Sequence, residues 1–404
     1  MPQTSQGVDM AITDTLRQYG RVMGDRLGMG LHAPGEIRDH LRGAMDWLKR
    51  AQDATPDAGV AQTWLVRSRR WAPSYPETTG YILPTFYRYA HLTGDTDARG
   101  RARAMADWEC EIQLPEGGVL AGALGSSDQP TIFNTGQVLF GWVRAFEEEG
   151  EERYREAAVK AAAWLCDVQD EDGCWRRFGS PFTTTSMNTY NTRSAWGLAR
   201  VHHITQEPRF LAAAVRNLEW ALSQRHDNGW LPHNCLQDDA QPFLHTIAYA
   251  MRGFLEVGAY AQREDFMHQA VTMGDAVLAS LPPDGYLPGR YDARWQPTVT
   301  WSCLTGNAQI AINWGRLHQL TGEERFREAV RRVNGFTRRT QRLHGGIPDE
   351  RGGIKGSHPI NGGYHPWQYP NWAAKFFADA LMMEESILAG SGRPAILSTD
   401  ADWS

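Results

Sequence analysis

A repeat constrains this chain more than any other feature of its sequence. Aligned on itself, it places Thr79, Thr135, Thr192, Thr246 and Thr305 at equivalent points, with spacings of 135 − 79 = 56, 192 − 135 = 57, 246 − 192 = 54 and 305 − 246 = 59, and Asn371 makes a sixth after 371 − 305 = 66. From each anchor runs a largely apolar segment, such as TGYILPTFYRYAHL or TGNAQIAINWGRLHQL, whose small and apolar residues occupy more than one helical face. Such helices must be buried on most sides. A short polar turn follows (TGDTD, EGEE, TQEP, TGEE), then a second segment with one apolar face, as in RGRARAMADWECEIQ and FREAVRRVNGFTRRTQ. These read as outer helices. Each runs into a glycine-centred stop (DAGV, EGGV, EDGCW, DNGWL, PDGYL, HGGIP), which predicts a left-handed C-cap.

Counting IRDHLRGAMDWLKRAQ as the first outer helix gives six outer-to-inner hairpins, a period typical of helical repeats. Six inner helices can cover one another only if the array bends round to meet itself, whereas an open solenoid needs polar caps. The expectation is an all-α ring over 36–390, with an N-terminal extension at 1–35 and a tail at 391–404. The turns from inner to outer helix are short, but the outer-to-inner stretches at 54–77, 114–133, 170–189, 225–244, 281–304 and 342–370 are long and rich in Gly, Pro and Trp. All six must emerge on one face, where the inner helices begin. Their unsatisfied N–H groups converge there and favour hydroxyl-rich or anionic ligands.

Net charge is −6 and basic residues are dispersed, which argues against nucleic acid or membrane as a partner. The first twenty residues carry no basic stretch followed by an apolar run, so a cytoplasmic chain is expected. Five cysteines without CxxC spacing suit reduced thiols. The 16 Trp, 13 Tyr and 14 Phe exceed the needs of a helical core, so some should line a binding surface.

Six such hairpins with one long-loop face resemble the (α/α)6 toroid of six-hairpin glycosidases, polysaccharide lyases and sugar epimerases, and of terpene cyclases and prenyltransferases. Gln169-Asp-Glu-Asp-Gly173-Cys-Trp175 is similar to the Gln/Trp motif that stitches repeats together in the terpene cyclase group, and Gln224 to Trp230 echoes it. The acid motif of protonating terpene cyclases is missing, as is a zinc set like that of prenyltransferases or lanthionine cyclases, Cys303 having no Cys/His partners. The resemblance therefore implies a carbohydrate-active enzyme without cofactor or metal, acting on a short or uronic-acid-containing glycan.

Sugar pockets combine aromatic platforms with short polar groups and a few carboxylates. Trp71, Tyr75, Trp301 and Tyr364 lie near inner-helix starts and are expected to touch substrate. Of the residues before the anchors, Asn134 and Asn191 serve either as N-caps or as ligands for hydroxyls. His245, a poor N-cap, is expected to transfer protons with a pKa lowered by the helix terminus. Hydrolysis uses two carboxylates, and Glu77 with Asp239 enter from different repeats, which makes a glycoside hydrolase the leading expectation. The alternative is a lyase or epimerase in which Tyr190 and His245 move a proton and Arg193 pairs with a substrate carboxylate. A terpene-cyclase-like cyclase or a non-catalytic glycan-binding ring comes after these. The 342–370 loop, with Lys355, His358 and Tyr364, is expected either to close as a lid or to strap the ring seam.

Overall fold

The computed structural model describes residue 16 and residues 18–390. Outer helices α1 (Ile37–Asp53), α3 (Thr96–Ile112), α5 (Glu152–Asp167), α7 (Pro208–Ser223), α9 (Glu264–Leu278) and α11 (Glu324–Thr340) alternate with inner helices α2 (Pro76–Thr93), α4 (Ile132–Glu149), α6 (Thr192–Thr205), α8 (Leu244–Ala261), α10 (Leu304–Thr321) and α12 (Asn371–Leu388). In α11 the buried residues Phe326, Ala329, Val330, Val333 and Phe336 form one stripe, whereas α8 is buried without a break from Leu244 to Ala259. Consecutive inner helices pack side by side, and α12 packs on α1 and α2, so the ring closes. No described helix is long and apolar enough to cross a membrane.

Two devices hold the seam. Strands β1 (Thr63–Leu65), β2 (Arg70–Trp71) and β3 (Gln368–Pro370) form a sheet in which β1 pairs antiparallel with both others, tying the first long loop to the last. Gln341, at the end of α11, donates to the His40 carbonyl of α1 at 3.2 Å and to the Gly352 carbonyl at 2.6 Å. The same stitch recurs inside the ring. Gln113 Nε2 reaches the Gly117 and Ala157 carbonyls, both at 3.0 Å, and Gln169 Nε2 reaches those of Gly173 and Ala213 at 3.1 and 2.9 Å. Gln169 thus performs the stitching its motif implies, whereas the Gln224 side chain donates to its neighbour Ser223 (2.9 Å).

The left-handed caps belong to the other set of helices. Gly94, Gly150, Gln206, Gln262 and Gly322 end inner helices with φ between 54° and 76°. Outer helices end at ordinary residues, and their glycines fall a few residues later. There Gly117, with φ 108°, turns the chain so tightly that a Cβ would stand 2.5 Å from the Lys160 carbonyl oxygen of the next outer helix.

Two of the anchor threonines, Thr79 and Thr135, act differently from simple caps. Thr79 Oγ1 donates to the Tyr75 carbonyl (2.9 Å) and accepts from Val60 N–H (3.0 Å), and Thr135 does the same with Thr131 (2.7 Å) and Val119 (2.9 Å). Each hydroxyl therefore pins a returning loop to the first turn of an inner helix. The 342–370 loop is a strap. The helical residues 18–26 lie on it, with Arg21 bonding both Glu350 oxygens (2.9 and 2.8 Å) and Tyr369 (2.6 Å), and Asp25 bonding Lys355 (2.7 Å) and Ile360 N–H (2.9 Å). That part of the expected N-terminal extension belongs to the loop face; the expected tail at 391–404 lies outside the described residues.

Inner helices touch through glycines. A Cβ on Gly197 of α6 would stand 2.5 Å from the Gly136 carbonyl oxygen of α4, while one on Gly100, on the outer face of α3, would meet nothing within 4 Å. Gly197→Ala should lower the unfolding free energy by about 1–3 kcal/mol through overpacking. Gly100→Ala should raise it by about 0.5–1 kcal/mol through helix propensity. Urea unfolding of both variants checks the opposite signs.

Candidate active site

The first turns of the inner helices and the ends of the long loops enclose a cavity of about 210 Å³. Helix α2 brings Glu77 and Tyr81, the residue before it brings Tyr75, α4 brings Phe133, and the turn before α6 brings Tyr190. His245 and Tyr249 come from α8, Trp372 from α12, and Tyr364 and His365 from the strap. Glu77 and Tyr81, like His245 and Tyr249, are i, i+4 pairs, so one helix face supplies a residue near the mouth and another a turn deeper.

Glu77 sits in the first turn of α2, where the helix dipole would favour its charge. Burial outweighs this. Only 8% exposed, its carboxyl is pushed up to about 7 by desolvation, opposed by the hydrogen bond that Tyr75 Oη donates to Oε2 (2.7 Å) and by the nearby charge of Arg193. Glu77 therefore exchanges a proton near neutrality. His245 is pushed down to about 3, and burial, not the helix terminus, is the chief cause. Its Nδ1 lies 2.8 Å from Gln309 Oε1, an acceptor, so Nδ1 carries the proton and Nε2 presents a lone pair. His365 is pushed down to about 4 by burial, and its Nδ1 faces Gln368 Oε1 at 3.3 Å, which leaves Nε2 bare as well. Ring centroids run in sequence along this wall: His245 to Tyr364 5.1 Å, Tyr364 to His365 4.7 Å, His365 to Trp372 4.8 Å. Among the described residues that line the cavity, Glu77 is the one carboxylate, and none is Lys or Arg.

Glu77, Tyr75, Tyr190, His245 and Tyr364 are thus brought together. The remaining expected residues are placed otherwise. Asp239 is a third exposed and faces His233 Nδ1 at 3.1 Å, outside the lining, because the 231–240 loop turns only Leu236 and Gln237 inward. Arg193 is buried behind the cavity. Its Nε donates to Gln137 Oε1 (2.7 Å), and its guanidinium lies 4.8 Å from the Tyr249 ring centre and 5.4 Å from that of Phe376, so aromatic rings occupy the place given to a substrate carboxylate. Trp71 packs on Trp47 and Trp64 in the seam sheet. Asn134 donates to the Leu120 carbonyl (2.7 Å) to hold its own loop, and Asn191 is buried in the turn before α6 without a side-chain cap bond. Trp301 and His358 line a different cavity.

Sequence reasoning passed over Tyr81, Tyr249, His365 and Trp372. The first two were accessible from helical spacing, one turn beyond Glu77 and His245. Trp372 adjoins the sixth anchor. His365 gave no such signal, since its position depends on how the strap folds back.

No protein-family model and no curated protein matches the chain. Its structure is similar to solved ones. An unsaturated glucuronyl hydrolase specific for heparin superposes with a TM-score of 0.71 at 14% identity, over 87% of this chain and 98% of that one. Cellobiose 2-epimerase from Bacillus thermoamylovorans gives 0.69 at 10% identity, over 86% and 98%. A D-mannose isomerase gives 0.67 at 12% identity, over 87% and 97%. By fold, the chain is an (α/α)6 toroid.

Proposed function

We propose that the protein is a carbohydrate-active enzyme that moves protons on a single uncharged sugar unit, with the reaction type of an isomerase or epimerase. The observation that carries this reading is the lining: one carboxylate poised at about 7, two imidazoles held neutral at about 3 and 4, and no cation among the described residues. A carboxylate with a pKa near the working pH can take a proton from carbon and return it. The bare Nε2 atoms of His245 and His365 accept from sugar hydroxyls, and their protons move as a carbonyl forms or closes. Tyr75 fixes the orientation of Glu77, and Tyr190, Tyr249 and Trp372 supply apolar faces.

Volume and charge support the same reading. A cavity of about 210 Å³ holds one pyranose-sized unit. Hydrolysis by paired carboxylates needs a second one across the scissile bond, and Asp239 is turned away from the cavity. A uronate placed here would bring a second negative charge beside Glu77 with no Lys or Arg among the described lining residues to contact it, Arg193 standing behind the cavity. The likeness in fold to a cellobiose epimerase and a mannose isomerase is consistent with proton transfer at carbon.

The test is a panel of neutral hexoses and cellobiose incubated in deuterated water and followed by NMR. Deuterium should enter the carbon-bound position beside the carbonyl carbon, and Glu77→Gln should slow this by about 10²–10⁴-fold while sugar binding persists. Release of reducing sugar from glycosides without exchange would instead favour hydrolysis with Glu77 as sole acid. Turnover should rise with pH through about 7, because the carboxylate is the competent base and burial raises its pKa. Tyr75 donates to that carboxylate and favours the ionised form, so Tyr75→Phe should move the rising limb to higher pH. A limb that stays in place would remove Glu77 from the role of base.

A further inference from the structure

A second cavity, of about 660 Å³, opens on the loop face. A wall of rings separates it from the first. Phe243 stands 5.1 Å from Tyr364, which lines the first cavity, and 6.1 Å from Trp301, which lines the second. The second is built where the helical residues 18–26, the 281–303 loop, the last turn of α11 and the strap meet.

We propose that this cavity is a separate glycan-binding site for a sugar bearing a negatively charged group, carboxylate or phosphate. Its charge is the reverse of the first. Arg26 and Arg339 both line it, and neither guanidinium has an ion-pair or hydrogen-bond partner among the described residues. Asp25 faces the same space, but its carboxylate is matched by Lys355 at 2.7 Å and by Ile360 N–H. Asp284 accepts from Tyr286 N–H within its own turn (3.1 Å) and is the one remaining carboxylate. Two planar cations thus face one exposed acid, and guanidinium groups bind carboxylate or phosphate oxygens in pairs.

The neutral part of a sugar is provided for as well. His358 is only 3% exposed and lines the cavity, and Lys355 Nζ donates to its Nδ1 at 3.2 Å. The ring proton therefore sits on Nε2, a fixed donor for a hydroxyl or an anionic oxygen. Trp301 offers a half-buried indole, and Tyr286 is held in place by donating its hydroxyl to the carbonyls of Thr300 (2.7 Å) and His358 (3.1 Å). Aromatic faces beside paired cations and an imidazole donor match a charged sugar better than a bare ion or an apolar ligand. The tryptophan and histidine that sequence reasoning assigned to substrate contact have their place here.

Calorimetric titration of the full chain with glucose 6-phosphate, glucuronate, glucose and inorganic phosphate tests the assignment. An anionic sugar should bind, and Arg26→Ala, alone or with Arg339→Ala, should weaken it by about tenfold or more. Glu77→Gln should leave that affinity unchanged. Arg26 is exposed, so its replacement keeps the test open should the double variant not fold. No binding of either anionic sugar at millimolar concentration overturns the proposal, as does an affinity lost in Glu77→Gln and kept in Arg26→Ala. Inorganic phosphate binding as tightly as glucose 6-phosphate overturns the assignment to a sugar.

Discussion

Everything in this molecule depends on six helices covering one another around a closed ring. A helix such as α8, buried along almost its whole length, has no water-facing side to spare, so each inner helix needs two inner neighbours and an outer one. The approach is close enough that glycines line the contacts: Gly80 meets Val138, Gly136 meets Ser194, Gly253 meets Thr192, and Gly315 meets Met383. Several charges enclosed by the same packing are paired. Glu256 takes Arg316 and Arg252, both at 2.9 Å, and Asp379 takes Lys375 at 2.7 Å and Arg88 at 3.2 Å. Left alone, any of these would carry a large desolvation penalty.

Closure also sets the chemistry of the cavity. The ring withholds water from the first turns of its helices, and desolvation is the largest influence on Glu77, His245 and His365 alike. The same burial pushes an acid up and bases down, so that a carboxyl and two imidazoles end in states they would not share in water near neutrality. Tuning of this kind follows from architecture, with Tyr75 and Arg193 as corrections to it.

The ring and its polarity were legible because they rest on periodic patterns: recurrent threonines, alternating buried and one-faced helices, long loops always on the same side. Glu77 and His245 were legible because they stand at fixed places relative to those anchors. What the patterns did not place was the direction of a loop or side chain relative to the cavity. Asp239 has the right type and repeat position but sits in a loop that turns away, and Arg193 keeps its helical register while rings close over it. Trp301 and His358 lie on the loop face as expected, yet a wall of side chains divides that face into two cavities, and no local spacing encodes such a partition. The misplaced glycine caps have a similar origin, since a left-handed turn next to a helix and one a few residues beyond it use the same residue.

The anchor threonines bear on how such a molecule can change through descent. The first two long loops are each secured to the ring by a main-chain N–H, that of Val60 and that of Val119, reaching a hydroxyl on the first turn of an inner helix. A main-chain donor is supplied by every residue type except proline. The attachment therefore places almost no demand on loop sequence, and the loop beyond it can be lengthened, shortened or exchanged while the helices beneath keep their register. The scaffold is in this sense indifferent to its cargo, and the specificity of each cavity can be rewritten one loop at a time.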